Sequence, residues 1–361
     1  MTPEENLKQS NNIPKGFAEA LLGWYAHAAR KLPWRENIDP YRTWISEIML
    51  QQTRVEAGIG YYLRFIEALP DAASLAAAEE ETVLKLWEGL GYYSRARNLH
   101  KAAKIIVGEH GGRMPADFAA VRALPGIGDY TAGAICSIAF GMAVPAVDGN
   151  VLRVLSRLLA SREDIAKPAV KKQFEDLLRP VIPNHRPGDF TQALMELGAL
   201  ICTPKSPSCA DCPVRELCLA HREGCACELP VKTPPKGRKV QKRTVFVLTH
   251  NHSLALCRRP EKGLLAGMWE LPCAEGQLDK KQAQTWLAER GICVNKLTPL
   301  GEARHVFSHL EWEMTGFLAE VEHPDGPTEW AYEPWRDIRR ERAIPSAYRV
   351  YLKKLEEYFA E

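Results

Sequence analysis

The chain has 361 residues, 46% of them hydrophobic and 25% charged, and a formal net charge of +2 at pH 7. That length allows two or three compact domains, and that balance belongs to a folded globular protein, which excludes a disordered or fibrous chain. So small a cationic excess gives no whole-chain support to a nucleic-acid partner, so any such partner has to be argued from local features.

The stretch Met1–Asn12 is polar and carries Glu4 and Glu5, unlike a secretory signal. The longest apolar run, Ala132 to Val147, is interrupted by Ser137, Gly141 and Pro145 and is too short and broken to span a membrane. These features read as a cytoplasmic protein with no membrane partner. In that compartment ten cysteines point to metal ligation or buried thiols before disulfides.

From Pro14 to about Leu219, apolar residues recur at intervals of three and four, as in Phe17, Leu21, Leu22 and Tyr25, which predicts helices separated by short Gly and Pro breaks. Within this region Glu47 is the only charged residue between Arg42 and Arg54. A helix apolar on both sides buries such a carboxyl at least partly. Desolvation then raises its pKa, as a general acid working near neutral pH requires. Taken alone, the residue is also compatible with a surface carboxylate.

Next comes Leu124-Pro125-Gly126-Ile127-Gly128-Asp129-Tyr130-Thr131-Ala132, ahead of an apolar helical run to Phe140. A Gly-rich turn at a helix amino terminus exposes backbone N–H groups that bind phosphate without reading base sequence, although an ordinary helix–helix turn has the same composition. About twenty residues after the turn stands Val147-Asp148-Gly149-Asn150. Cys202, Cys209, Cys212 and Cys218 then form a C-x6-C-x2-C-x5-C cluster, whose four thiolates suit zinc or an iron–sulfur centre. The other six cysteines read as unliganded thiols.

Residues 228–243 hold three prolines and six basic residues, with no acid after Glu228, and read as a linker, either solvated or lying along phosphates. From Thr244 the texture becomes α+β, with short strand-like runs such as Val245 to Leu248 and Trp312 to Leu318. Two further segments stand out there, Gly263 to Pro272 and His305-Val306-Phe307-Ser308-His309-Leu310.

The cysteine spacing resembles the [4Fe–4S] loop of the endonuclease III superfamily of DNA glycosylases. The glycine-rich turn resembles the helix-hairpin-helix of that superfamily, with Asp148 where its catalytic aspartate follows. Residues 44–53, WISEIMLQQT, closely resemble a signature of the adenine DNA glycosylases, and so do Leu32 to Arg35, Trp87 to Leu99 and Phe190 to Ala193. Gly263 to Pro272 and the Phe-Ser-His segment resemble the Nudix-like domain of that family.

The resemblance implies a multidomain protein. Its all-α helix-hairpin-helix core with the [4Fe–4S] loop occupies residues 1–227, a linker residues 228–243, and an α+β Nudix-like domain residues 244–361. It implies one [4Fe–4S] cluster per chain on the four clustered cysteines. It also implies a monofunctional hydrolase that cuts the N-glycosidic bond of adenine opposite 8-oxoguanine or G in double-stranded DNA. In a bacterium the location would be nucleoid-associated. Protein partners stay open.

By the same carry-over, Glu47 protonates adenine and Asp148 stabilises the sugar cation, with Tyr130 and Asn150 positioning Asp148. Trp34, Arg35 and Gln192 line the adenine pocket, and Gln52, Leu90 and Tyr92 penetrate the base stack. Gly126 and Gly128 belong to the phosphate-binding turn, and Phe307, Ser308 and His309 approach 8-oxoguanine. Three other activities fit less well. The lyase branch carries a lysine where this chain has Tyr130. A Nudix hydrolase needs an acidic magnesium cluster, whereas residues 276–292 offer only Glu289 among the expected acids, which reads as binding without hydrolysis. A noncatalytic iron–sulfur protein would not need both Glu47 and Asp148.

Overall fold

Helices dominate residues 17–222, as the apolar periodicity predicts. The computed structural model describes residues 12–360 except 235, 236, 295 and 325. Phe17, Leu21, Leu22 and Tyr25 of helix Phe17–Ala28 enter one core with Val151, Leu155 and Leu158 of helix Gly149–Leu158 and Phe190, Leu194 and Leu197 of helix Pro187–Leu200. Local signals start and stop these elements. Helix Pro40–Leu50 begins with Pro at its first position behind Asp39, whose side chain accepts from the Arg42 N–H. Helix Asp129–Phe140 ends at Gly141 with φ 66°, a left-handed cap that favours glycine.

Gly133, in the middle of that helix, allows a close crossing. A Cβ there would lie 2.1 Å from the Pro145 carbonyl oxygen, so only glycine lets the returning chain pass so near on its way to Asp148.

The chain divides into two compact units, Met1–Ala77 with Asn98–Pro234 and Ala78–Arg97 with Pro235–Glu361. Residues 78–97, placed by sequence within the helical region, therefore belong to the second unit. Periodicity gives an element's type and not its partner. The partners are polar: Arg258 Nη2 donates to Glu81 at 3.0 Å, Glu88 accepts from the Ile344 N–H at 2.9 Å, and Lys85 Nζ donates to the Arg342 carbonyl at 2.9 Å.

The expected linker is shorter than its composition suggested. Leu229 is buried and its carbonyl accepts from Arg157 Nε at 2.9 Å, while Val231 accepts from the Ile165 N–H at 3.0 Å. Residues 239–243 already lie in a strand, and Pro235 and Lys236 fall outside the described residues.

The strands of the second unit are β1 (Lys239–His250), β2 (Ser253–Arg258), β3 (Trp269–Glu270), β4 (Cys273–Glu275), β5 (Thr298–Val306), β6 (Leu310–Glu320) and β7 (Trp330–Pro334). They form one mixed sheet in the order β3-β2-β1-β6-β5, with β4 also pairing β1 and β7 pairing β2. β1 and β6 run parallel, from Lys239 opposite Leu310 to Thr249 opposite Glu320, and β5 and β6 run antiparallel.

The unbroken apolar run Val245 to Leu248 follows from burial on both faces. Val245 and Val247 pack with Tyr348, Tyr351 and Leu355, while Phe246 and Leu248 pack with Ala283 and Leu287 of helix Lys280–Ala288. Among the described residues no helix is long and apolar enough to cross a membrane.

The sheet's fit to helix Arg349–Ala360 depends on Gly316 in β6, where a Cβ would sit 2.1 Å from Tyr351 Cε1. Gly316→Ala should therefore destabilise the second unit by about 1–3 kcal/mol, the usual effect of overpacking. Hydrogen exchange of the β6 amides reads this directly; unchanged protection would show that the helix yields to the added methyl.

Candidate active site

A cavity of about 540 Å³ opens in the first unit, and Trp34, Arg35, Glu47, Gln52, Tyr130, Asp148, Asn150 and Gln192 all line it. These eight come from positions 34 to 192, so the fold converges what the sequence scatters. Trp34 and Arg35 sit on the short helix Pro33–Glu36, with Trp34 buried edge-on to Tyr62 at 5.3 Å between ring centroids. Gln192 is buried on helix Pro187–Leu200. Gln52 lies just beyond helix Pro40–Leu50, exposed and with φ 58°, a left-handed backbone unusual for glutamine.

Glu47 stands on helix Pro40–Leu50 between buried Ser46 and Ile48. Its Oε2 accepts one hydrogen bond, from the Tyr130 hydroxyl at 2.7 Å. Burial pushes the carboxyl up to about 7; the Tyr130 bond and the nearby Arg35 charge pull down, and the Asp148 charge pushes up. The single phenolic proton of Tyr130 is given to Glu47 and not to Asp148, so the expected positioning of Asp148 falls to Asn150. Burial first, then the charges of Glu47 and Asp148, keep that phenol protonated.

Asp148 is the N-cap of helix Gly149–Leu158, in the position where an aspartate satisfies free N–H groups and meets the positive end of the helix dipole. Its Oδ1 accepts from the N–H groups of Asn150 at 2.9 Å and Val151 at 2.8 Å, and its Oδ2 from Asn150 Nδ2 at 2.9 Å. Burial raises this carboxyl too, against three hydrogen bonds and the Arg153 charge. Arg153 in turn donates to Asn150 Oδ1 at 2.9 Å, to the Gly198 carbonyl at 2.8 Å and to the Cys202 carbonyl at 2.8 Å.

Arg30 and Glu196 also line the cavity, and the sequence reading did not single them out. Glu196 had a readable signal: it is the only charged residue between Asp189 and Lys205, the pattern that drew attention to Glu47. Arg30, beside Lys31 and near a chain turn, had none.

The glycine-rich turn runs between helices Phe118–Ala123 and Asp129–Phe140, with Gly128 as the N-cap of the second. Gly126 has φ 78°, and a Cβ there would meet Asn98 Cβ at 2.7 Å, so both conformation and space demand glycine. Leu90 and Tyr92 belong to the second unit. Tyr92 is 43% exposed with φ 47°, directly after Gly91, which like Gly89 has positive φ.

Phe307, Ser308 and His309 form the tight turn between β5 and β6, closed by the Phe307 N–H donating to the Leu310 carbonyl at 2.9 Å. Phe307 packs on Trp312 at 4.9 Å, while Ser308 and His309 are exposed. Ser308 Oγ donates to the Tyr92 hydroxyl at 3.3 Å, so these two residues meet within the second unit.

Cys202, Cys209, Cys212 and Cys218 are all free thiols and line one small apolar cavity together with Arg157 and His221. Arg157 donates to Cys202 Sγ at 3.2 Å and to the carbonyls of Thr203 and Pro204 at 2.7 and 3.0 Å, tying the loop to helix Gly149–Leu158. Among the described residues no three His, Cys, Asp or Glu side chains form a single-ion site. Four soft sulfur donors around a shared space fit a cluster, as the resemblance implied.

Comparison with known proteins matches three stretches of the chain. Residues 45–180 match the HhH-GPD superfamily of base excision DNA repair proteins, residues 202–218 the iron–sulfur binding domain of endonuclease III, and residues 244–354 the NUDIX domain. The adenine DNA glycosylase of Rattus norvegicus is 37% identical across 93% of this chain and 78% of its own length. That of Homo sapiens is 36% identical across 93% and 74%, and that of Schizosaccharomyces pombe 34% across 86% and 82%. A thermostable thymine-DNA glycosylase structure superposes with a TM-score of 0.53 at 27% identity, covering 60% of this chain and 99% of that one. A trapped endonuclease III–DNA covalent intermediate gives 0.50 at 23%, covering 62% and 99%, a likeness of fold. The loop 202–218 thus carries a [4Fe–4S] cluster.

Gly198 tests how tightly the site is set. A Cβ there would lie 2.7 Å from Asn150 Cβ, and its carbonyl already holds Arg153. Gly198→Ala should push Asn150 and Asp148 out of place and lower the single-turnover rate by about a hundredfold, the scale of a 1 Å misplacement. A fully active variant with native melting behaviour would show that the site tolerates the shift.

Proposed function

The chain belongs to the adenine DNA glycosylases, and on that footing we propose that it acts on adenine opposite 8-oxoguanine, or opposite G, in duplex DNA. The observation that carries the mechanism is the unequal treatment of two carboxyl groups in one cavity. Glu47 keeps a proton near pH 7 because one hydrogen bond does not offset its burial, whereas Asp148 has three donors and an arginine to favour its anion.

Adenine leaves poorly as an anion. Neutral Glu47 delivers a proton to N7, so the base departs neutral. Anionic Asp148 stabilises the cationic sugar, or traps it covalently, before water attacks. This is the division of labour of two-carboxylate glycoside cleavage, one acid held neutral and the other ionised by their surroundings. Asn150 orients Asp148, and Tyr130 orients Glu47. Trp34, Arg35 and Gln192 line the space for the base.

Extracting that base costs a few kcal/mol of unstacking, which Gln52, Leu90 and Tyr92 offset by filling the vacated stack. Gly126 and Gly128 open the helix amino terminus to a backbone phosphate. Cys202, Cys209, Cys212 and Cys218 hold the cluster, which orders the loop next to helix Gly149–Leu158. The second unit reads the opposite base through Phe307, Ser308 and His309. Its proposed location is the cytoplasm and, in a bacterium, association with the nucleoid.

Glu47→Gln should bind the mispair and leave adenine attached, since the amide keeps the shape and cannot give the proton. In the native enzyme the rate of base release should be full below pH 7 and fall about tenfold per pH unit above it, because the required form of Glu47 is the protonated one. Near-normal turnover by the Gln variant, or a rate that rises through pH 8, would end the assignment.

The lesion-reading role is tested on its own. Ser308→Ala with His309→Ala should reduce the preference for A opposite 8-oxoguanine over A opposite G by about ten- to a hundredfold, the discrimination carried by a base-specific contact, while single-turnover cleavage of A opposite G stays unchanged. An unchanged preference would assign lesion reading elsewhere.

A further inference from the structure

We infer that Glu196 is a positioning residue for base excision: its carboxylate holds Arg30 and Arg35 as one partly neutralised wall of the base cavity, and that wall lets Glu47 keep its proton. This rests on the reading of Glu47 as the acid. Glu196 lies on helix Pro187–Leu200, with a side chain only 1% exposed, and lines the same cavity as both arginines.

Its two oxygens are fully engaged. Oε1 accepts from the Arg30 N–H at 3.0 Å, Arg30 Nε at 2.8 Å and Arg35 Nη1 at 3.2 Å, and Oε2 accepts from Arg30 Nη2 at 3.0 Å and Arg35 Nη2 at 3.0 Å. Five donors exceed the roughly four lone-pair directions of a carboxylate. No acceptor capacity remains for a base, so Glu196 acts through the arginines and not on the substrate. They hold its carboxyl down at about 2 despite burial, so it is ionised throughout the working range.

The electrostatic consequence follows from charge counting. Arg30, Arg35 and Glu196 together leave one positive charge on this wall. Without Glu196 there would be two. Besides burial, the strongest influences on Glu47 are Tyr130 from helix Asp129–Phe140, Asp148 from the cap of helix Gly149–Leu158 and Arg35 from helix Pro33–Glu36; the Asp148 charge favours the neutral form of Glu47 and the Arg35 charge opposes it, so Arg30 and Glu196 act on Glu47 by setting the net charge around Arg35. Met195 and Gln192, the other residues of helix Pro187–Leu200 named at the cavity besides Glu196 and Ala199, are uncharged. Glu196 is thus the anion placed to blunt the cation that would strip Glu47 of its proton. Arg35 is further fixed by Nη1 donating to the Arg30 carbonyl at 3.1 Å, so the two guanidiniums move as a pair.

The test is the pH profile of single-turnover adenine release by cluster-loaded protein. Glu196→Gln should move the alkaline limb about one pH unit lower, a shift of the size an added nearby cation produces. Relative to wild type the variant then loses about ninefold in rate at pH 8 and about twofold at pH 6. Arg30→Gln removes a cation and should move the limb the other way. Glu196→Gln combined with Arg30→Gln restores the wild-type charge of the wall and should return the limb to its original position, even where the rate stays low.

A merely structural Glu196 predicts something different: rates reduced by one factor at every pH, with the limb unmoved in all three variants, and that outcome overturns the inference. Arg30→Gln keeps the Arg35–Glu196 pair intact and leaves no uncompensated buried cation, so it decides the matter even if Glu196→Gln loses its cluster absorption. Normal turnover by Glu47→Gln would instead sink the acid assignment itself, whichever way the limbs move.

Discussion

Two carboxyl groups share one cavity, and the number of donors each receives sets them apart. Both are pushed toward the neutral form by burial. Glu47 meets one hydroxyl, whereas Asp148 meets two backbone N–H groups, a side-chain amide and the field of Arg153. Much of the first unit can be read as the means of maintaining this difference. A helix has to begin at residue 149 to provide the amides, and a second helix has to bring Tyr130 to Glu47 without offering further donors. Because Asp148 is also the cap of its helix, the group proposed for chemistry holds its own position at the site where N-cap aspartates are ordinarily favourable.

The same helix binds the cysteine loop. Arg153, one turn beyond Asn150, spans from the Asn150 side chain to the Cys202 carbonyl, and Arg157, a further turn along, grips Cys202, Thr203 and Pro204. Both guanidiniums are buried and donate mainly to backbone carbonyls. Order in the loop and order at Asp148 are therefore joined by direct hydrogen bonds. A cluster that fixes the four cysteines also fixes the acceptors that Arg153 and Arg157 require.

Chemistry confined to short stretches of chain was legible in the sequence. Glu47 stood out by its apolar neighbourhood, the cysteines by spacing, and Asp148 through the resemblance of the glycine-rich turn to the helix-hairpin-helix superfamily. Features made by long-range packing were not. Arg30 and Glu196 are separated by 166 residues, and no local pattern pairs them. Tyr130, expected to position Asp148, instead donates its hydroxyl hydrogen bond to Glu47, 83 residues away in the chain, a pairing made by the packing of two helices. The basic, proline-containing stretch at 228–243 read as linker by composition, yet Leu229 is an apolar side chain with a core to enter and Lys239–Arg243 extend a parallel ladder.

The grouping of residues 78–97 with the second unit changes how the proposed roles are distributed. Trp34, Arg35, Glu47, Tyr130, Asp148, Asn150 and Gln192, the residues proposed for adenine, all belong to the first unit. Leu90, Tyr92, Phe307, Ser308 and His309, proposed for the stack and the opposite base, all belong to the second. In that unit the sheet buries both faces, so little of it is free for ligand except edges and turns. The β5–β6 turn is such a place: Phe307 anchors it on Trp312 and leaves Ser308 and His309 exposed. The hydrogen bond from Ser308 to Tyr92 then joins the turn to the loop carrying Leu90, so a residue of each motif is held by the same compact body. The stretch 276–292 holds two acids, Asp279, which caps helix Lys280–Ala288, and Glu289.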